Sequence, residues 1–367
     1  MKRIVFPVIV LVALLHVINF SAYAQVPTQV KEPKVVLITL DGLRWQELFE
    51  GADRSLISHP DYVKDTTSLM NEFWRETPEE RRRILMPFFW SVIAEEGQIL
   101  GNRAYENRAN LTNQMWFSYP GYNEILTGKA DDVRITSNSK TNNPNETVLE
   151  FIHNQPDFEG KVAAFTSWDV FPYIINEERS GIPVNSGYEP VANPQSPEEK
   201  LINRLQNETP VLWKSVRLDA FTHHLAMAHL KARKPRLLYI SYGETDDFAH
   251  RGDYDEYLYS TLRTDRFIQD IWETVQADPY YKDQTTLVIT TDHGRGIKGD
   301  GWRHHGKSGT PYSDEVWMAF LGIGIDAKGE RKDSAQFYSN QVAATVAELL
   351  GIEYTGGDGK SMLKDLR

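Results

Sequence analysis

The sequence predicts an α/β protein built on a mostly parallel sheet with helices on both faces. Three observations carry this reading. Short β-branched runs recur along the chain, nearly continuous in apolar residues, as strands buried on both faces are. Helical stretches alternate with them, the signature of strand–helix–strand crossovers. No Pro/Gly/Ser linker is long enough to divide the chain, so one large domain is expected over residues 25–367.

The strand runs are KVVLITL (34–40), KVAAFTS (161–167), RLLYISY (236–242), TTLVITT (285–291) and VWMAFLGIG (316–324). Helices are expected over 77–97, 145–154, 196–206, 254–275 and 339–351, from apolar residues at helical spacing. Two of them open with capping-box spacing, Thr77 with Glu80 and Ser196 with Glu199. A short helix is framed by Pro120 in its first turn and Gly128 past its end. Residues 44–80, rich in aromatic and charged side chains, read as an insertion after the first strand. Residues 180–200 read as an exposed loop.

The first 24 residues differ from the rest. Lys2 and Arg3 precede the apolar run IVFPVIVLVALL, and Ala22 and Ala24 place small residues where a signal peptidase reads them. Residues 1–24 are therefore expected to be a signal peptide cleaved after Ala24. The apolar run is short for a spanning helix, so no stable membrane insertion is expected after cleavage. The protein would be exported, to the periplasm or the medium. It has no cysteine, which excludes disulfides, thiolate ligands and lipid attachment through a lipobox cysteine. The formal charge of −11 argues against a nucleic-acid scaffold as partner, while leaving anionic small substrates open.

Open sheets of this kind place function at the carboxyl ends of their strands. Those ends collect a particular set. LITLDG ends in Asp41. ISYGETDDFAH supplies Asp246 and His250, with Glu244 and Asp247 beside them. VITTDHGRG supplies Asp292 and His293, and GWRHHGKSG follows with His304 and His305. Each residue alone reads as a turn, a cap or a solvated face. Together, carboxylate oxygens and imidazole nitrogens at three strand ends form a donor set for borderline divalent ions such as zinc, and there are enough of them for two. Ser118 stands at the start of the short helix. It is either that helix's cap or a nucleophile, with the helix N-terminus offering amides to a phosphoryl oxygen. Lys307 and Arg295 lie near the ligand motifs and read as loop charges or as contacts for phosphoryl oxygens.

In VVLITLDGLRW, FSYPGYNEILTG, ETDDFAH, TTDHGRG and HHGKSG, taken in this order over most of the chain, the sequence resembles the alkaline phosphatase superfamily. The likeness is to its phosphodiesterase/nucleotide-pyrophosphatase and sulfatase-like branches. The resemblance implies that Asp41, Asp292 and His293 bind one metal and that Asp246, His250 and His305 bind the other. It places Ser118 between them as nucleophile and metal ligand, and prefers His305 over His304 because the ligand precedes Gly. Three departures stand out. Tyr122 replaces the Arg of the sulfatase motif, which favours an unmodified serine over formylglycine. Gly121 replaces an Asn usual in the diesterase branch. Asn138, Asn142 and Asn143 all lie near the position of a phosphoryl-contacting Asn. The expected function is a two-metal hydrolase of small phosphate esters, phosphatase or phosphodiesterase, with two Zn2+ as cofactors and a phosphoserine intermediate. The alternatives are a sulfuric-ester hydrolase, a phosphoryl-group transferase, and a non-catalytic glycan- or lipid-binding protein, the last suited by 9 Trp residues.

Overall fold

The computed structural model describes Met1 and residues 32–297, 299–307 and 310–367. The expected signal peptide lies outside the described residues. Glu32–Arg367 forms one compact unit. Its strands are β1 (Lys34–Leu40), β2 (Gln98–Leu100), β3 (Asn107–Asn110), β4 (Val162–Thr166), β5 (Val184–Ser186) and β6 (Leu237–Tyr242). The remaining strands are β7 (Thr285–Thr291), β8 (Glu315–Val316), β9 (Met318–Gly322), β10 (Gly329–Glu330) and β11 (Ala335–Tyr338).

Eight strands form the main sheet in the order β10-β2-β9-β7-β1-β6-β4-β5, and only β9 runs against the others. A small sheet, β11-β3-β8, lies apart from it. β1 is the centre of the design. Its even-numbered residues Val36, Ile38 and Leu40 enter one hydrophobic core, and Val35 and Leu37 enter the core on the opposite face. Burial on both faces is why the run KVVLITL carries no alternation. The neighbours of β1 are β6 and β7, so the three strands whose ends carry the candidate ligands lie side by side.

Several expected elements take a different form. The helix expected over 77–97 ends at Leu85, and a single wide turn, Phe89–Ile93, follows. Pro87 cannot supply an amide to a continuing helix, and the next two amides, Phe88 and Phe89, donate instead to the buried Asp265 carboxylate. Both expected capping boxes form completely. The insertion folds as three short helices, Trp45–Glu50, Arg54–Ile57 and Thr66–Phe73, which bury Leu48, Phe49, Leu56, Leu69 and Phe73. Residues 180–200 are not simply a loop: Val184 and Ser186 are buried in edge strand β5. The run 316–324 is shared between the two sheets, with Val316 pairing to β3 and Met318–Gly322 to β2 and β7. The helix Asp219–Arg233 was not anticipated. No described helix is long and apolar enough to cross a membrane.

Candidate metal centre and nucleophile

Asp41 is the first residue after β1. Asp292 and His293 follow β7 directly. Asp246 and His250 lie one turn apart on the helix Glu244–Arg251 that follows β6, so both side chains leave the same face. His305 arrives from the loop after the one-turn helix Gly299–Arg303. The amide of Lys307, two residues on, donates to Met115 O at 3.2 Å and docks this loop against the residues preceding Ser118.

Six of the seven predicted residues come together as two adjoining groups, and the seventh, Ser118, stands beside the first. The ligand atoms of Asp41, Asp292 and His293 lie within 4.8 Å of one another, as do those of Asp246, His250 and His305. His293 Nε2 stands 3.3 Å from Asp41 Oδ1 and 3.5 Å from Asp292 Oδ2. It is also 3.7 Å from Asp246 Oδ1, and its ring stacks on that of His305 at 4.0 Å, so the groups share a wall. In the second group His250 Nε2 is 3.2 Å from Asp246 Oδ2 and 2.9 Å from His305 Nε2. His304 takes no part. It is 52% exposed, with Nε2 facing Asp300 Oδ2 at 3.6 Å.

The donors fit divalent cations. Asp41 Oδ1 and Asp292 Oδ2 are buried atoms without a hydrogen-bond partner among the described residues, and both face His293 Nε2. Their other oxygens are taken: Tyr122 Oη donates to Asp41 Oδ2 at 2.9 Å, and the Gly42 amide donates to Asp292 Oδ1 at 3.0 Å. His293 Nδ1 bonds to Gly294 O at 2.9 Å, which leaves Nε2 as the ligating nitrogen. Burial first, and then the neighbouring carboxylate charge, pushes the carboxyls of Asp41 and Asp292 upward. The same carboxylates outweigh burial at His293 and push it up to about 9. A buried site so rich in negative charge is paired or holds cations.

Asp246 behaves differently. Burial works against its charge, but Arg295 and then His250 outweigh it and hold the carboxyl well below the usual range. Arg295 is not a solvated loop charge. It is buried, with Nη2 bonded to Asp246 Oδ1 and Nε to Gly42 O. Lys307 is exposed and bonds to Gln114 Oε1 at 3.3 Å.

Ser118 is the first residue of the helix Ser118–Thr127. Phe117 occupies the cap position without a capping side chain. Ser118 Oγ lies 3.4 Å from His293 Nε2, at the edge of the first group. The buried Glu124 fixes the approach to it. Its carboxylate accepts the amides of Thr112 and Asn113, and Asn113 Oδ1 in turn accepts those of Met115 and Trp116. Trp116 is thereby held at φ +57°, a conformation bulky side chains avoid. The helix start offers fewer amides than its position implied. Pro120 has none, and Tyr119 N donates to Asn138 Oδ1 at 3.0 Å. This separates the three candidate asparagines. Asn143 is buried against Asn123 and Ile174 O, and Asn142 bonds to Glu178, whereas Asn138 sits beside the nucleophile.

Gly121 also has a physical reason. A Cβ there would stand 2.2 Å from Asp292 O, so the helix can press against β7 only without a side chain. Tyr122 is fully buried, packed edge-on against Phe171 at 4.6 Å and bonded to Asp41. Asn138, Tyr122 and Arg295 were not assignable from sequence, because their partners are distant in the chain.

An open, mostly parallel sheet with two carboxylate–histidine groups at its central strand ends, and a serine on a helix start beside one of them, is an arrangement suited to metal-assisted ester hydrolysis. The family model described as Sulfatase matches residues 176–352. The fold is similar to that of alkaline phosphatase PafA, at 12% identity and TM-score 0.62, covering 92% of this chain and all of that one. It is also similar to the lipoteichoic acid synthase LtaP from Listeria monocytogenes (13%, TM-score 0.58, 91% and 76% covered). A third similar structure is BT1596, a 2-O GAG sulfatase (14%, TM-score 0.55, 92% and 74% covered). No curated protein matches the sequence. The fold is that of alkaline-phosphatase-like proteins, and nearly half of the chain matches the sulfatase family model.

Proposed function

We propose that this protein is an exported, two-metal hydrolase of phosphate esters that works through a phosphoserine at Ser118. The observation that carries the reading is the placement of Ser118 Oγ 3.4 Å from His293 Nε2, beside two carboxylate–histidine groups. Asp41, Asp292 and His293 would hold one cation, and Asp246, His250 and His305 the other. Two divalent cations, zinc by the chemistry of these donors, would supply Lewis-acid stabilisation of the attacking and leaving oxygens.

The protein's own groups do the rest. The helix start directs Ser118 Oγ at phosphorus, where it forms a new P–O bond as the bond to the leaving oxygen breaks. The Ser118 hydroxyl proton passes to solvent, and the leaving oxygen takes up a proton from water. Asn138 Oδ1 accepts the amide of Tyr119, the residue after the nucleophile, and its Nδ2 would be the donor to a phosphoryl oxygen. Water then attacks phosphorus, the Ser118 O–P bond breaks, a proton from that water returns to Ser118 Oγ, and phosphate, or a monoester when the substrate is a diester, leaves. Tyr122 holds Asp41 in place throughout.

Sulfate-ester hydrolysis is the second reading, favoured by the family match over residues 176–352. That segment contains five of the ligand residues but neither Asp41 nor Ser118, so it is silent on the nucleophile. Tyr122, buried where the sulfatase motif has Arg, favours phosphate. Transfer to an alcohol in place of water would use the same serine. Turnover of an aryl phosphate monoester, a diester and a sulfate, with and without added alcohol acceptor and chelator, tests the reading. Sulfate as the best substrate would reject it, and so would turnover indifferent to chelation. Export predicts a mature protein beginning at Gln25; an intact N-terminus on protein recovered outside the cytoplasm would contradict it.

A further inference from the structure

The two ligand groups differ in charge. Asp41 and Asp292 put two carboxylates beside His293, and their remaining contacts are neutral, the Tyr122 hydroxyl and the Gly42 amide. Asp246 is the only carboxylate of its group, and it already has a cation for a partner. The buried Arg295 donates from Nη2 to Asp246 Oδ1 and Asp246 O, and from Nε to Gly42 O at 3.0 Å. The pairing is built in. Gly42 has φ +58°, and a Cβ there would stand 2.9 Å from both Nε and Nη2 of Arg295. Counting the ligand carboxylates and Arg295 alone, with the imidazoles neutral, the charge is −2 around one position and cancels around the other. The second group is also the open one. The side chain of His250 is 41% exposed, whereas His293 is 0% exposed.

We infer that Arg295 is a positioning residue that competes for Asp246 and so makes the two cation positions unequal. The ion at Asp41, Asp292 and His293 is held tightly. The ion at Asp246, His250 and His305 is held weakly and exchanges with solvent. This rests on the two-metal reading above. A guanidinium on Asp246 Oδ1 takes up one of the carboxylate's lone pairs and repels an incoming cation. At contact range one such charge is worth at least about tenfold in an ion's affinity. Orientation of the carboxylate by the same bond acts in the opposite sense, and the neutral and charged variants below separate the two effects.

The test counts ions. Zinc-loaded full-length protein is dialysed against a graded series of a soluble chelator. Zinc per chain is then measured by elemental mass spectrometry, with folding followed by circular dichroism. The wild type should lose one ion first and hold a plateau near about one ion per chain over at least about a tenfold range of free zinc. His305→Ala should start on that plateau. Arg295→Met should tighten the weak ion by at least about tenfold and narrow the plateau, and Arg295→Lys, which keeps the charge, should preserve it. If Arg295→Met does not fold, Arg295→Gln, able to donate to Gly42 O, serves as the neutral variant. An unchanged or wider plateau in the neutral variant overturns the inference. So does a plateau that survives Asp41→Asn but not His305→Ala. A wild type that carries two ions and releases them together also overturns it, while leaving the two-metal reading intact. A wild type that binds no zinc rejects that reading itself.

Discussion

Gly121→Ala adds one methyl group and should cost the enzyme most of its turnover. The new Cβ would lie 2.2 Å from Asp292 O, 3.0 Å from its carbonyl carbon and 3.3 Å from its Cβ. A carbon–oxygen contact needs about 3.3 Å, so helix and strand end must part by about 1 Å. Neither side yields locally. Gly121 N is bonded to Phe117 O within the helix, and Asp292 is tied by its carboxylate to the Gly42 amide. The displacement therefore moves Ser118 as a body away from Asp292 and His293. Overpacking of this kind costs about 1–3 kcal/mol, and the better helix propensity of Ala returns up to about 1 kcal/mol of it. Stability thus falls modestly, while a misplacement of about 1 Å at the reacting atom costs on the order of 100-fold in rate. Thermal unfolding, zinc content and kcat on an aryl phosphate, measured on the same preparation, give the answer. A variant with kcat within about threefold of wild type would refute the claim that this contact sets the Ser118–Asp292 geometry.

Three further expectations follow from the same contacts. His305→Ala should lower zinc content and cost at least about 100-fold in turnover, while His304→Ala, at an exposed side chain outside both groups, should leave zinc content unchanged; equal losses would misplace the ligand. Tyr122→Phe removes the hydroxyl that donates to Asp41 Oδ2, and should weaken zinc binding by about 10-fold with the fold intact, as read by chelator competition; unchanged affinity would make Tyr122 a packing residue only. His229 is half-buried beside Phe165, and burial, then Arg233, pushes it down to about 4. Because its folded pKa lies below its unfolded value, its contribution to stability is present above about pH 6.5 and is lost as pH falls towards 4, by on the order of 1–2 kcal/mol after allowance for its partial exposure. His229→Gln should flatten that part of the acid limb in denaturant titrations, and an unchanged limb would exclude His229 as its source.

What could be read from the sequence follows from where each signal is stored. The long central strands were legible because burial on both faces leaves an unbroken apolar run, as in Val35–Leu40. Strands of two to four residues, such as β2, β5, β8 and β10, were not, because their pairing is decided by partners far along the chain. The helix Asp219–Arg233 was hidden because His223, His224 and His229 interrupt its apolar pattern. In the fold, His223 is spent on a buried bridge between Tyr242 and Asp270. The six Asp and His residues that make up the two groups were legible because strand ends collect them in short motifs. Arg295 and Asn138 were not, since a charge 49 residues from Asp246, or an amide 19 residues from Tyr119, has no meaning until the chain is folded. Gly121 could be noticed as a departure but not explained, because its reason is the carbonyl of Asp292.

Acid quenching during turnover decides whether Ser118 is the nucleophile of a phosphate-ester hydrolase. Protein mixed with excess aryl phosphate and quenched at low pH should yield, by peptide mass spectrometry, one phosphate on the peptide containing Ser118. Ser118→Ala should show no such label and should lose several orders of magnitude in turnover while keeping its fold. Residue 118 should otherwise carry the mass of an unmodified serine. Undiminished turnover in Ser118→Ala, phosphate on another residue, or a residue 118 oxidised to formylglycine in protein that prefers sulfate esters, would contradict the mechanism.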